Sequence, residues 1–139
     1  PGTAVSRFLA RYTHKFAPTA LHFEAARKLG FWDVSPRWQE LSYEICLDAT
    51  RAMAKADGYY PAWDGMLMKR FDGKIPEQVP VTIIFGDTDN TLPASNSQEK
   101  SLAPKHSKWV VLPQSGHAPM WDQVDAVVSE TISTINQAI

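Results

Sequence analysis

The sequence predicts a mixed α/β chain in which a helical first part, residues 1–73, precedes a βαβα part, residues 74–139. Before Gly73, apolar residues recur at spacings of three and four, the period of amphipathic helices. After it, two short apolar, β-branched runs, Val79–Phe85 and Lys108–Leu112, are each bounded by turn residues, as buried strands are. The stretch between the runs, about Ala94 to Ala103, reads as a helix. A strand, a helix and a second strand in one sheet form a βαβ unit, which makes the strands parallel.

Taken in order, Val5, Phe8, Leu9 and Tyr12 share one helical face. A second segment runs from Pro18 through Leu21, Ala25 and Leu29 to a stop at Gly30. Ser35 and Pro36 give an N-cap and a proline at the first helical position, followed by a stripe of Trp38, Leu41, Ile45, Ala49 and Ala52. Gly58 breaks that helix. Pro61 can start another, with Trp63, Leu67 and Phe71 on one face up to Gly73.

The run from Val79 to Phe85 suits a strand covered on both faces, with Pro80 at its start. Asp122 is placed to cap the closing helix, whose apolar face comprises Val124, Val127, Val128, Thr131, Ile132 and Ile135, and Asp125 favours its N-terminal dipole. Two parallel strands with apolar surface on both faces do not make a stable sheet alone. Further strands are expected from outside this sequence.

Composition narrows the function. With 44% apolar and 21% charged residues in 139, the chain reads as a globular domain and not as a disordered one. The net charge is −1 and the fourteen basic residues are dispersed, which argues against nucleic acid as a partner. No apolar run approaches the roughly twenty residues that span a bilayer, and no signal-peptide pattern opens the chain, so no membrane association and a cytoplasmic location are expected. Cys46, the single cysteine, reads as a filler of a helix face, and the four histidines form no metal-ligand spacing. Neither a metal nor another cofactor is expected. Pro1 fits either a processed terminus or a start partway through a longer chain.

Chemistry concentrates at two strand ends. Gly86-Asp87-Thr88-Asp89 follows the first strand, with Pro93 downstream, and Ser115-Gly116-His117-Ala118-Pro119 follows the second. A carboxylate there can orient one imidazole nitrogen while the other takes a proton from a nucleophile. Histidine suits such a base because its ordinary pKa, about 6.5, lies near neutrality. Glycine before each residue permits a sharp turn and a close backbone approach. The plainer reading makes Asp87 and Asp89 formers of Asx-turns and Gly116-His117 a capped loop. From the residues alone, Asp87 and Asp89 are both open as the acid.

In these motifs, their order and their spacing across one helix and one strand, residues from about Glu77 to Ile139 resemble the C-terminal end of an α/β-hydrolase, and the earlier residues resemble in kind the helical cap of many members. The resemblance implies the end of a parallel α/β-hydrolase sheet, incomplete in this chain, with Asp89 as the triad acid and His117 as the base. It also implies hydrolysis of a small, rather apolar, ester-like substrate, with carbon-carbon, epoxide and halide chemistry open. Leu92 and Ala118, beside the two turns, would face the substrate. Trp63 and Tyr60 would line an apolar pocket from the cap, as would Trp32, Trp38, Tyr59, Met66 and Met68, against the plainer reading that these residues pack helices together. By resemblance to epoxide-opening members, which carry such donors on their caps, Tyr59 and Tyr60 would donate to a leaving oxygen.

One part is missing. No serine, Ser6, Ser35, Ser95, Ser97, Ser101 and Ser115 among them, carries the flanking glycines of a Gly-x-Ser-x-Gly elbow. Loss of a triad nucleophile costs roughly a millionfold in turnover, so this chain alone is expected to be inactive. The expectation is a C-terminal half whose N-terminal half supplies the nucleophile and the remaining strands. The alternative is a non-catalytic module of the same fold that binds a ligand or partner.

Overall fold

The computed structural model describes residues 2–68 and 72–138. Pro1 and Phe71, named above, lie outside the described residues. Two compact units are distinguished, one drawn from 1–30 and 41–73 and the other from 31–40 and 74–139.

The first unit is helical. Its first helix, α1 (Gly2–Thr13), carries the apolar line read from the sequence, but Val5, Phe8, Leu9 and Tyr12 are all at least half exposed. Arg7 is buried instead, and its Nε and Nη2 both donate to the carbonyl of Ala56. The helix expected from Pro18 to Gly30 is two helices, α2 (Ala17–Ala20) and α3 (Glu24–Phe31). They are separated by a turn in which the N–H of Phe23 donates to the carbonyl of Ala20 at 2.9 Å. Tertiary contacts favour that break: the Tyr43 hydroxyl donates to the carbonyl of Pro18, and the Tyr43 and His22 rings stack at 4.7 Å. Gly30 is not the stop, since α3 continues to Phe31, which is buried.

The helix expected from Ser35 does not start there. Only a short 3-10 turn forms at Trp38–Glu40, and α4 (Tyr43–Lys55) begins later, where the Ser42 hydroxyl accepts from the Ile45 N–H. Moving the start rotates the face: Cys46 and Ala54 are buried, whereas Ile45 is 37% exposed and Ala52 is exposed. Burial pushes the Cys46 thiol up, with Arg27 partly opposing. The last helix of this unit, α5 (Tyr59–Met68), starts ahead of Pro61 and buries none of its residues.

The second unit holds the sheet. Strands β1 (Thr82–Gly86) and β2 (Lys108–Leu112) pair in parallel, in register from Thr82 opposite Lys108 to Gly86 opposite Leu112. The mixed α/β class and the parallel pairing agree with the sequence reading, although β1 begins three residues later than expected. The helix expected between the strands is interrupted: α6 (Ala94–Ser97) is followed by a 3-10 turn at Lys100–Leu102. The break falls at Gln98, whose side-chain amide donates to the carbonyl of Leu92.

Asp122 does not cap the closing helix. It ends the short α7 (Pro119–Asp122), and α8 (Val124–Asn136) follows without a side-chain cap. Helix α8 meets the sheet through polar groups, with Thr134 Oγ1 at 2.6 Å from Thr82 Oγ1 and Lys108 Nζ at 2.5 Å from Glu130. Its Val124, Val128, Ile132 and Ile135 are each at least half exposed. Residues 82–85 of β1 are only half-buried and Val111 of β2 is exposed, so the strands lack the two-sided cover expected of them. Among the described residues no third strand pairs with either.

Candidate active site

Two turns leave the C-terminal ends of adjacent parallel strands and are laced together. The Asp87 N–H donates to the carbonyl of Leu112, and the Thr88 N–H and hydroxyl both donate to the carbonyl of Ser115, at 3.0 and 2.8 Å. In return the Ser115 N–H donates to Asp87 Oδ1 at 3.3 Å. This leaves no room at Gly86, where a Cβ would lie 2.1 Å from the carbonyl oxygen of Ser115. Gly116 is as constrained, by the carbonyl of Val34 at 2.3 Å. After β2 the chain turns through Gln114, which adopts a positive φ of 53°.

The lacing brings Asp89 and His117 together. His117 Nδ1 lies 3.1 Å from Asp89 Oδ2. Because an ionised carboxylate only accepts, the ring contributes an Nδ1–H to this bond. The other carboxylate oxygen, Oδ1, accepts from the N–H groups of Thr91 and Leu92 at 2.9 and 2.7 Å. Asp89 is therefore both a turn former and the partner of His117, so the two readings of it are compatible. Its side chain is 3% exposed and that of His117 38%, and His117 Nε2 has no hydrogen-bond partner among the described residues. A buried acceptor behind a half-open ring leaves Nε2 available to exchange a proton. Asp87 is exposed and bonds to Ser115, away from the ring.

The other residues singled out by sequence are distributed. Leu92 is 41% exposed beside Asp89, while Ala118 is buried next to His117, its N–H donating to the carbonyl of Val34 at 3.3 Å. Trp63 and Tyr60 lie on α5, in the first unit, half-buried and 43% exposed respectively. Tyr59 and Tyr60 meet edge to face at 5.4 Å, and the Tyr59 hydroxyl is buried without a partner among the described residues. Trp38 is buried, whereas Trp32, Met66 and Met68 are more than half exposed and pack no core.

Sequence reasoning missed a group of residues around the histidine turn. Asp122, 5% exposed, accepts from the Gly116 N–H through Oδ2 at 2.8 Å and from the Ser35 hydroxyl through Oδ1. The Asp122 carbonyl accepts from Arg37 Nη1 at 2.6 Å. Arg37 in turn pairs with Glu40, a hydrogen bond that raises the guanidinium and lowers the carboxyl from their ordinary ranges. An acid five residues after His117 was the available signal, but it also satisfies the pattern of an N-cap.

Among the described residues, no three His, Cys, Asp or Glu side chains are grouped to hold a metal, and no helix is long and apolar enough to cross a membrane. Compared with known proteins, the chain matches no family model, no curated protein and no solved structure.

Proposed function

We propose that this chain is the C-terminal half of an α/β-hydrolase, its helical part serving as cap and its sheet completed by an N-terminal half that carries the nucleophile. The observation that carries the reading is the Asp89–His117 pair at the ends of two adjacent parallel strands, with His117 Nε2 open. In the completed enzyme His117 takes the proton of the nucleophile as it attacks an ester-like carbonyl, and then returns it to the leaving group. Asp89 holds the ring and stabilises the imidazolium. The substrate is small and rather apolar, with Leu92 and Ala118 beside the pair.

Intact-mass measurement of the native protein tests the first step. A second polypeptide in one-to-one ratio, carrying a nucleophile elbow, is expected. The reconstituted pair hydrolyses short-chain nitrophenyl esters, and His117→Ala lowers that turnover by at least about a thousandfold. An ester hydrolysis indifferent to His117→Ala would defeat the reading.

One observation favours a second reading, a non-catalytic binding module. Helix α5 buries none of its residues and leaves Tyr60, Met66, Leu67 and Met68 exposed, a surface suited to an apolar ligand or partner. In that case His117→Ala leaves ligand affinity unchanged.

A further inference from the structure

Buried carboxylates are held where they are by what they bond, and the partners of the Asp122 carboxylate lie outside its own helix. Its two oxygens point in different directions, one to the backbone N–H of Gly116 and the other to the Ser35 hydroxyl. Ser35 is wholly buried, and its oxygen also accepts from the Arg37 N–H at 3.0 Å. The same segment presses on the histidine turn from a second side, through the carbonyl of Val34, which accepts from Ala118 and leaves no space for a side chain at Gly116. On the acid side, the Thr91 hydroxyl reaches the carbonyl of Asp33 at 3.5 Å.

We infer that Asp122, anchored by Ser35, is the positioning residue for His117: it fixes the Gly116 amide and thereby the direction in which the next side chain leaves the backbone. His117 follows β2 by a turn that includes a residue at positive φ, so the strand alone does not fix the ring. Asp89 can hold the ring only if the backbone delivers it within hydrogen-bond distance. A charged acceptor for the Gly116 N–H is a stronger restraint than a neutral one, and burial keeps water from replacing it. This inference rests on the reading of Asp89 and His117 as a pair that acts together.

The test needs no substrate. Nitrogen-15 NMR of the full 139-residue chain, at a pH above the ordinary imidazole range, reports which ring nitrogen of His117 carries the proton. In the unaltered chain Nδ1 is expected to be protonated, and Asp89→Asn should abolish that preference. Asp122→Leu, with folding checked by circular dichroism, is expected to lose the preference as Asp89→Asn does, whereas Asp122→Asn, which keeps an acceptor for Gly116, is expected to retain it. Retention in Asp122→Leu would overturn the inference. Should Asp122→Leu fail to fold, hydrogen exchange of the unaltered chain decides: the Gly116 amide is expected among the slowest of its turn, and exchange as fast as an exposed loop amide overturns the role. An unaltered chain in which His117 shows no Nδ1 preference and ignores Asp89→Asn would instead defeat the pair itself.

Discussion

At Gly86 a side chain has nowhere to go, and the obstacle is backbone. A Cβ would lie 2.1 Å from the carbonyl oxygen of Ser115 and 2.4 Å from that of Gly116, on the turn that delivers His117. Neither atom can swing away as a flexible side chain would, because the Ser115 carbonyl already accepts two hydrogen bonds from Thr88. Gly86→Ala should therefore force the two turns apart. The expected cost is about 2–3 kcal/mol, within the range of overpacked sites, read as a lower midpoint in urea unfolding with an unchanged slope. Gly86 has no positive φ, so the requirement is for space and not for backbone freedom.

Among the elements, α4 shows what a cap decides. Ser42 accepts from the Ile45 N–H at 3.2 Å, and Ser42→Ala is expected to cost about 1 kcal/mol, measured by thermal unfolding. Ser35, the cap expected from the sequence, satisfies the same local rule but bonds Asp122, 87 residues away. Local rules cannot choose between two serines when the choice lies with a distant partner. That pattern recurs: β2 was legible to its boundaries, and the parallel pairing followed from the βαβ order, because both depend on short-range composition and connectivity. The helix breaks at Leu21–Phe23 and Gln98 were not: the first answers to the distant Tyr43, through its hydroxyl and its ring, and the second to a side-chain hydrogen bond from Gln98 back to Leu92, which periodicity does not register. In the candidate site the same division holds. Glycine, acid and histidine were visible as motifs at two strand ends, while Asp122 and Ser35 joined them only in three dimensions.

For the molecule as a whole, the telling feature is apolar surface left uncovered in the unit that holds the sheet. Val124, Val128, Ile132 and Ile135 of α8 are exposed by half or more, β1 is half-buried, and Val111 of β2 is open. A helix normally turns such a stripe toward a core, but α8 meets the sheet through Thr134 and Glu130 instead. On the proposed reading, the stripe and the strand edge are where the elements of an N-terminal half would pack. If so, a charge in the stripe should weaken assembly without unfolding the chain, since the side chain already faces water. Ile132 is 53% exposed, so burying its open half against a partner is worth roughly 1 kcal/mol. Ile132→Asp removes that gain and adds the cost of desolvating a carboxylate, so the affinity for the N-terminal half should fall by at least about tenfold. Native mass spectrometry of the mixed halves measures it, with circular dichroism of the variant alone expected to match that of the unaltered chain. Unchanged binding would remove α8 from the interface and leave the edge of β1 as the place where the sheet is continued.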